Sequence, residues 1–89
     1  MKTLIYSTQF KKDFKKYQND SKKLRQLYSV LQLLAKGEPV PRSMRPHKLT
    51  GNYAGCMECH VGNDFLLIWM DETTMIVRLL RLGKHSELF

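Results

Sequence analysis

Three histidines, His47, His60 and His85, carry most of the chemistry available to this chain. Imidazole is the side chain whose ordinary pKa suits both taking and giving a proton near neutrality. RNA cleavage needs little else. The ribose 2′-hydroxyl is the nucleophile; a base removes its proton, an acid protonates the departing 5′ oxygen, and a cation steadies the charge gathering on phosphorus. That chemistry calls for no metal and no cofactor. Arg81, four residues before His85, is the candidate cation, and Asp64 is a candidate to orient an imidazole or act as a base. Each has a plainer reading beside it: an ordinary surface or core histidine, a sheet-edge arginine, a turn aspartate.

The string Cys56-Met57-Glu58-Cys59-His60 has the C-x-x-C-H spacing of a c-type haem attachment site. It reads, however, as a strand, where residues three apart point to opposite faces. Two such thiols cannot reach one porphyrin, nor converge with histidines on zinc. Cys59 is expected as a buried small hydrophobe and Cys56 as a partly exposed thiol. Both are expected to be reduced, in a cytoplasmic chain.

The charge is lopsided. Residues 1–48 hold twelve basic and three acidic side chains, residues 49–89 three and five. A basic half on a small domain suggests a polyanionic partner, nucleic acid or an acidic protein. Lys11/Lys15 and Lys12/Lys16 are like charges at i, i+4, which cost a helix about 0.2–0.5 kcal/mol per pair. Helix stability does not account for them, whereas a phosphate backbone or an acidic partner would; the plainer alternative is a solvated face. Arg42 and Arg45 add charge in the proline-containing stretch Pro39–Pro46.

The elements that must position these groups belong to one domain, 1–89, because 89 residues hold a single small core and a shallow cleft. That size excludes dinucleotide-binding folds, barrels and kinase-like folds. The longest apolar run is Phe65–Met70, too short for a membrane span, and Met1–Tyr6 turns polar too soon for a signal peptide. Lys2–Tyr6 reads as a strand, with Ser7 or Thr8 as the next helix cap. Phe10, Phe14 and Tyr17 form one helical stripe, with the lysines on the opposite arc. Asn19-Asp20-Ser21 is a break, with Ser21 as the second cap. Leu24, Leu27, Tyr28, Leu31 and Leu34 form the second stripe, ended by Gly37 and Pro39. Strands follow at about 55–61, 64–70 and 75–82, with Gly62-Asn63 as a hairpin turn. The expectation is an α+β fold, β-α-α-β-β-β: an N-terminal strand and an antiparallel helical hairpin packed on a small, mainly antiparallel sheet. The strand at 64–70 is apolar on both faces and is therefore placed centrally. In a meander, the ends of alternate strands return to one edge, where the three histidines can converge.

Several of these strings resemble a known family. Pro46-His47-Lys48-Leu49-x-Gly51-Asn52-Tyr53-x-Gly55 resembles the H-x-L-x-G loop of YafQ-like toxins, within the RelE/ParE superfamily of type II toxin–antitoxin systems. Glu58-Cys59-His60, with Asp64 and Phe65–Ile68, resembles the second motif, and Arg81 to Phe89 resembles the C-terminal signature R-x-G-x-H-x-x-L-F, the most specific of the three. The resemblance implies a RelE-like microbial ribonuclease fold and ribosome-dependent endonucleolytic cleavage of mRNA. It also implies a cognate antitoxin that blocks the toxin, with operator DNA bound only through the antitoxin complex. It lays catalytic roles on His47, His60, Asp64, His85 and Phe89, with Arg81 against phosphate. Phe89 is then a stacking residue, His85 the general acid, and the base is His47 or His60 with Asp64. Lys11, Lys12, Lys15, Lys16, Arg42 and Arg45 are expected to hold RNA by charge. Phe65 replaces the family's frequent tryptophan and Cys56 its usual aromatic. The retained histidines argue against the gyrase-directed ParE branch. The rival from outside catalysis is an inactive basic module of the same fold that only grips RNA or an acidic protein.

Overall fold

In the computed structural model, which describes residues 1–89, the apolar run at 65–70 becomes the central strand of a five-stranded sheet. The elements are β1 (Thr3–Tyr6), α1 (Thr8–Lys15), α2 (Ser21–Lys36), β2 (His47–Lys48), β3 (Met57–Gly62), β4 (Phe65–Asp71), β5 (Ile76–Gly83) and α3 (His85–Leu88), with single 3₁₀ turns at Arg42–Met44 and Gly51–Tyr53. The sheet order is β1-β5-β4-β3-β2. The β2–β3, β3–β4 and β4–β5 pairs are antiparallel, and β1 joins β5 in parallel.

α1 and α2 cover one face. Phe10, Leu27, Val30, Leu31 and Leu34, together with Tyr17 in the connection, meet Cys59, Val61, Phe65, Leu67, Trp69, Val77, Leu79 and Leu82. Burying a side chain of the Leu or Phe kind contributes about 1.5–3 kcal/mol, so this cluster is the main stabilising mass of the fold. The opposite face carries a second, smaller cluster of Cys56, Leu66, Ile68 and Leu88. β4 is therefore dry on both sides, as its sequence requires. A single two-layer core, the expectation from size, is corrected to two clusters separated by the sheet.

Other details also depart from expectation. Asp20, not Ser21, caps α2: its backbone is extended and its carboxylate accepts the Lys23 N–H at 3.1 Å. Ser7 caps α1 by accepting the Phe10 N–H. Val30 replaces Tyr28 in the buried stripe, because Tyr28 lies about 100° round the helix from Leu27 and falls on its rim. Cys56 is buried, not partly exposed, since the loop before β3 folds over the small cluster. β2 and α3 are additions. Two residues and four residues carry no measurable periodicity, and both elements exist through what they pair with or pack on.

One irregularity matters for the site. The β4–β5 register jumps between Ile68↔Arg81 and Trp69↔Leu79, leaving Leu80 as the extra residue of a bulge. Leu79 and Leu82, three apart, both enter the large core, while Leu80 packs beside the small one. β1 stops pairing at Tyr6↔Leu79, so the rest of β5 is an open edge. The start of α1 closes it. Ser7 donates its N–H to Leu79 O and its hydroxyl to Leu80 O, both at 3.0 Å, and Asp13 accepts the Leu82 N–H at 3.0 Å.

Candidate active site

The strand register brings the chemistry to the face away from α1 and α2. One row across the sheet reads His47↔Glu58↔Ile68↔Arg81, and another reads His60↔Leu66↔Gly83. Glu58 and His60 are two apart on β3 and so share a face. Strands lie about 4.8 Å apart, so His60 stands about 10 Å across the sheet from Gly83, with His85 two residues further along the chain. A diagonal pair such as His47 and His60 is separated by about 7–8 Å. These spacings suit groups arranged around one phosphate.

His47 is held at both ring nitrogens. Nδ1 lies 2.7 Å from the Arg45 carbonyl oxygen and Nε2 3.2 Å from Glu58 Oε1. Both neighbours are acceptors, so the arrangement is satisfied by a proton on each nitrogen or by one proton shared with the Glu58 carboxyl. Glu58 itself is 5 % exposed, and its Oε2 has no hydrogen-bond partner. Glu58 therefore meets the site through Oε1, which holds His47, while Oε2 stays closed off from the surface.

α3 delivers His85 and Phe89. Its single turn is tied at several points. Asp64 Oδ1 accepts the His85 main-chain N–H at 3.0 Å, Leu88 plugs the small cluster, and Glu87 reaches back to accept the Lys84 N–H at 2.8 Å. Glu87 also accepts the Tyr17 hydroxyl at 2.5 Å and pairs with Lys16 at 3.4 Å. The Lys84 N–H, the Tyr17 hydroxyl and Lys16 together hold the Glu87 carboxyl down to about 2. Burial and the facing carboxylate push the Tyr17 phenol up to about 12. Phe89 is 54 % exposed, with its ring 5.0 Å from His85 and edge-on to Tyr53 at 5.6 Å.

Arg81 turns round the open edge of β5. Its Nε donates to Asp13 Oδ2 at 2.8 Å, its Nη2 to Asp13 Oδ1 at 3.4 Å, and its Nη1 to the Tyr53 hydroxyl at 3.2 Å. Asp13 is 1 % exposed. Burial opposes its charge, but the hydrogen bonds from Arg81, Leu82 and Gln9 outweigh that and hold its pKa below the ordinary value.

Of the residues nominated from sequence, His47, His60, Arg81, His85 and Phe89 share this face or its rim. Asp64 stands at the β3–β4 turn with φ 48°, bonded to the backbone of His85 and not to an imidazole. Lys16 reaches the site's edge through Glu87. Lys11 and Lys15 do not; they border an apolar groove with Tyr6, Phe10, Phe14 and Tyr28 on the helical layer. Lys12 is exposed on α1, Arg42 lies in the 3₁₀ turn before β2, and Arg45 touches the site only through its carbonyl. The two cysteines occupy different clusters on opposite faces, Cys59 on β3 in the large one and Cys56 in the loop before β3 in the small one. Burial pushes the Cys59 thiol up to about 12 and raises Cys56 as well. Sequence reasoning missed Asp13, Tyr53, Glu58 and Glu87 as site residues. Asp13 leaves a trace, a lone acid inside the Phe10–Phe14–Tyr17 stripe; Glu58 leaves another, two residues before His60 on an otherwise apolar strand.

A five-stranded mixed sheet with a helical pair on one face is the architecture of the RelE-like fold. YafQ from E. coli strain BL21(DE3) superposes with a TM-score of 0.89 at 31 % identity, over 100 % of this chain and 99 % of that one. YafQ in the E. coli DinJ–YafQ complex gives 0.87 at 32 %, with the same coverage. The mRNA interferase toxin YafQ of E. coli K12 is 34 % identical over 85 residues, 94 % of this chain and 91 % of the relative. The family model described as bacterial toxin of type II toxin-antitoxin system, YafQ, matches residues 2–89, and the chain belongs to that family.

Proposed function

We propose that this toxin is an mRNA endoribonuclease that acts on translating ribosomes in the cytoplasm and is neutralised by a cognate antitoxin. The relatives' names supply the substrate and the DinJ–YafQ complex supplies the kind of partner. The observation that carries the chemistry is the pair of rows His47–Glu58–Ile68–Arg81 and His60–Leu66–Gly83, which supports a reading in which His60 and His85, two residues beyond Gly83, act from opposite sides of a phosphate near Arg81. Phosphoryl transfer in line needs its base and acid on opposite sides of phosphorus.

In this reading His60 takes the proton of the 2′-hydroxyl. The 2′ oxygen then bonds to phosphorus, and the bond to the 5′ oxygen breaks as His85 gives that oxygen a proton. The products are a 2′,3′-cyclic phosphate and a 5′-hydroxyl. Arg81, oriented by Asp13, meets the charge on the non-bridging oxygens. His47 and Glu58, already sharing a hydrogen bond, border His60 and keep the base side polar. Asp64 serves the acid side by fixing the start of α3. Phe89 stacks on a base, a contact worth about 1–3 kcal/mol. Lys12, Lys16 and Arg42 hold RNA phosphates by charge.

Primer extension across an mRNA in a reconstituted translation reaction tests this, with and without ribosomes. New 5′ ends that need ribosomes and vanish in His85→Ala are expected. Intact message in the presence of stoichiometric toxin overturns the proposal in favour of a binding module.

A further inference from the structure

α3 is too short to hold itself. A helix of four residues has almost no stability of its own, because nucleation costs more than one turn returns. Yet this turn carries His85 at its first position and Phe89 at its end. Its place is therefore set by tethers to the body, and the tether from the helical layer is Glu87 with Tyr17.

Tyr17 completes the stripe begun by Phe10 and Phe14, and its ring packs on Phe65 with centroids 4.8 Å apart. A phenylalanine would serve that packing equally well. The hydroxyl does something else: it crosses from the connection after α1 to Glu87 on α3, seventy residues away in sequence. Glu87 in turn closes back on the Lys84 N–H, which caps the same turn. The backbone is shaped to admit this carboxylate. Gly83 has φ 155°, and a Cβ there would come within 2.8 Å of Glu87 Oε1. One glycine thus lets Glu87 sit under the chain between Arg81 and His85.

We infer that the Tyr17–Glu87 hydrogen bond is a latch that sets the position of the His85 imidazole and the Phe89 ring, making Tyr17 and Glu87 positioning residues for RNA cleavage. The inference rests on the reading of His85 as the general acid. The latch joins α3 to the helical layer, so that acid and base sides of the site keep a fixed separation. Misplacing a reacting group by about 1 Å costs up to about 100-fold in rate.

The test compares Tyr17→Phe, Glu87→Ala, Glu87→Gln and His85→Ala for cleavage across a range of ribosomal-complex concentrations up to saturation. It also follows amide hydrogen exchange at Leu88 and Phe89, whose N–H groups donate to Lys84 and His85 carbonyls within the turn. Urea midpoints establish that each variant is folded. Tyr17→Phe and Glu87→Ala are expected to lower kcat about 10- to 100-fold, move KM less, and speed exchange at both amides. Glu87→Gln keeps an acceptor oxygen for Tyr17 and Lys84 and is expected to recover most of the rate. If His85→Ala is inactive while folded Tyr17→Phe and Glu87→Ala cleave and exchange like the parent, the latch is wrong. If His85→Ala cleaves normally, the general-acid reading fails instead; the latch then stands or falls on exchange alone, where unchanged protection in Tyr17→Phe overturns it.

Discussion

Removing the carboxylate of Asp13 should damage the protein more than any surface substitution. Asp13→Ala leaves Arg81 without its anion and the Leu82 N–H without an acceptor, in a site where the aspartate is 1 % exposed. A buried N–H left unpaired costs about 1–3 kcal/mol. Breaking a buried ion pair costs about 3–5 kcal/mol, but the Arg81 side chain is 22 % exposed and regains some water, which favours the low end. The two losses overlap in one carboxylate, so a total of about 3 kcal/mol is expected. The whole fold is worth about 4–13 kcal/mol at this length. Trp69 is the only tryptophan and is buried in the large core, so its fluorescence in a urea titration reports global unfolding. With a slope of about 1–2 kcal/mol per molar urea, the midpoint should fall by about 1.5–3 M. The pH dependence supplies the sign. The folded carboxyl is held below its ordinary value of 3.8, so its contribution is present above that pH and is lost as pH falls through the depressed folded value. Asp13→Ala should therefore flatten that part of the acid limb. A midpoint within 0.5 M of the parent, with an unchanged acid limb, would refute the buried-pair argument.

Three further outcomes follow from the same geometry. His85→Ala should slow cleavage by about 10²–10⁴-fold in single-turnover assays while ribosome association measured by co-sedimentation stays near the parent's. Lys11→Ala with Lys15→Ala should leave ribosome affinity and its salt dependence near the parent's, because both lysines border the groove on the helical layer and not the histidine face; weaker binding with a shallower salt dependence would contradict this. Glu87→Gln should reduce the stability lost on acidification toward pH 2, because the folded Glu87 carboxyl is lowered to about 2, so its stabilisation is present above its ordinary value of 4.5 and disappears as pH falls toward 2; acid titrations that overlay for the two proteins would contradict this.

The helices, the central strand and the hairpin were legible because each rests on a local rule. Phe10 and Phe14 recur at helical spacing, Gly37 takes the left-handed conformation at φ 73° that ends α2, and six apolar residues in a row had to lie between two covered faces. Small errors came where neighbours compete under the same rule, as Asp20 and Ser21 did for one cap and Val30 and Tyr28 for one stripe. The histidines were legible as chemistry, because their side chain is rare and its proton affinity is intrinsic. Their partners were not: Glu58 near His47, Asp13 against Arg81 and Glu87 under Tyr17 each join residues from different elements.

The sequence alone thus determined which groups can move protons, which segments must be helical or extended, and which strand lies in the middle. Those properties belong to single side chains or to short windows of chain. Only the tertiary structure decided that a two-residue strand brings His47 to Glu58, that a bulge at Leu80 turns Arg81 toward Tyr53, and that four terminal residues form a tethered turn carrying His85. Such pairings depend on register and on distances between segments far apart along the chain, which no local pattern encodes.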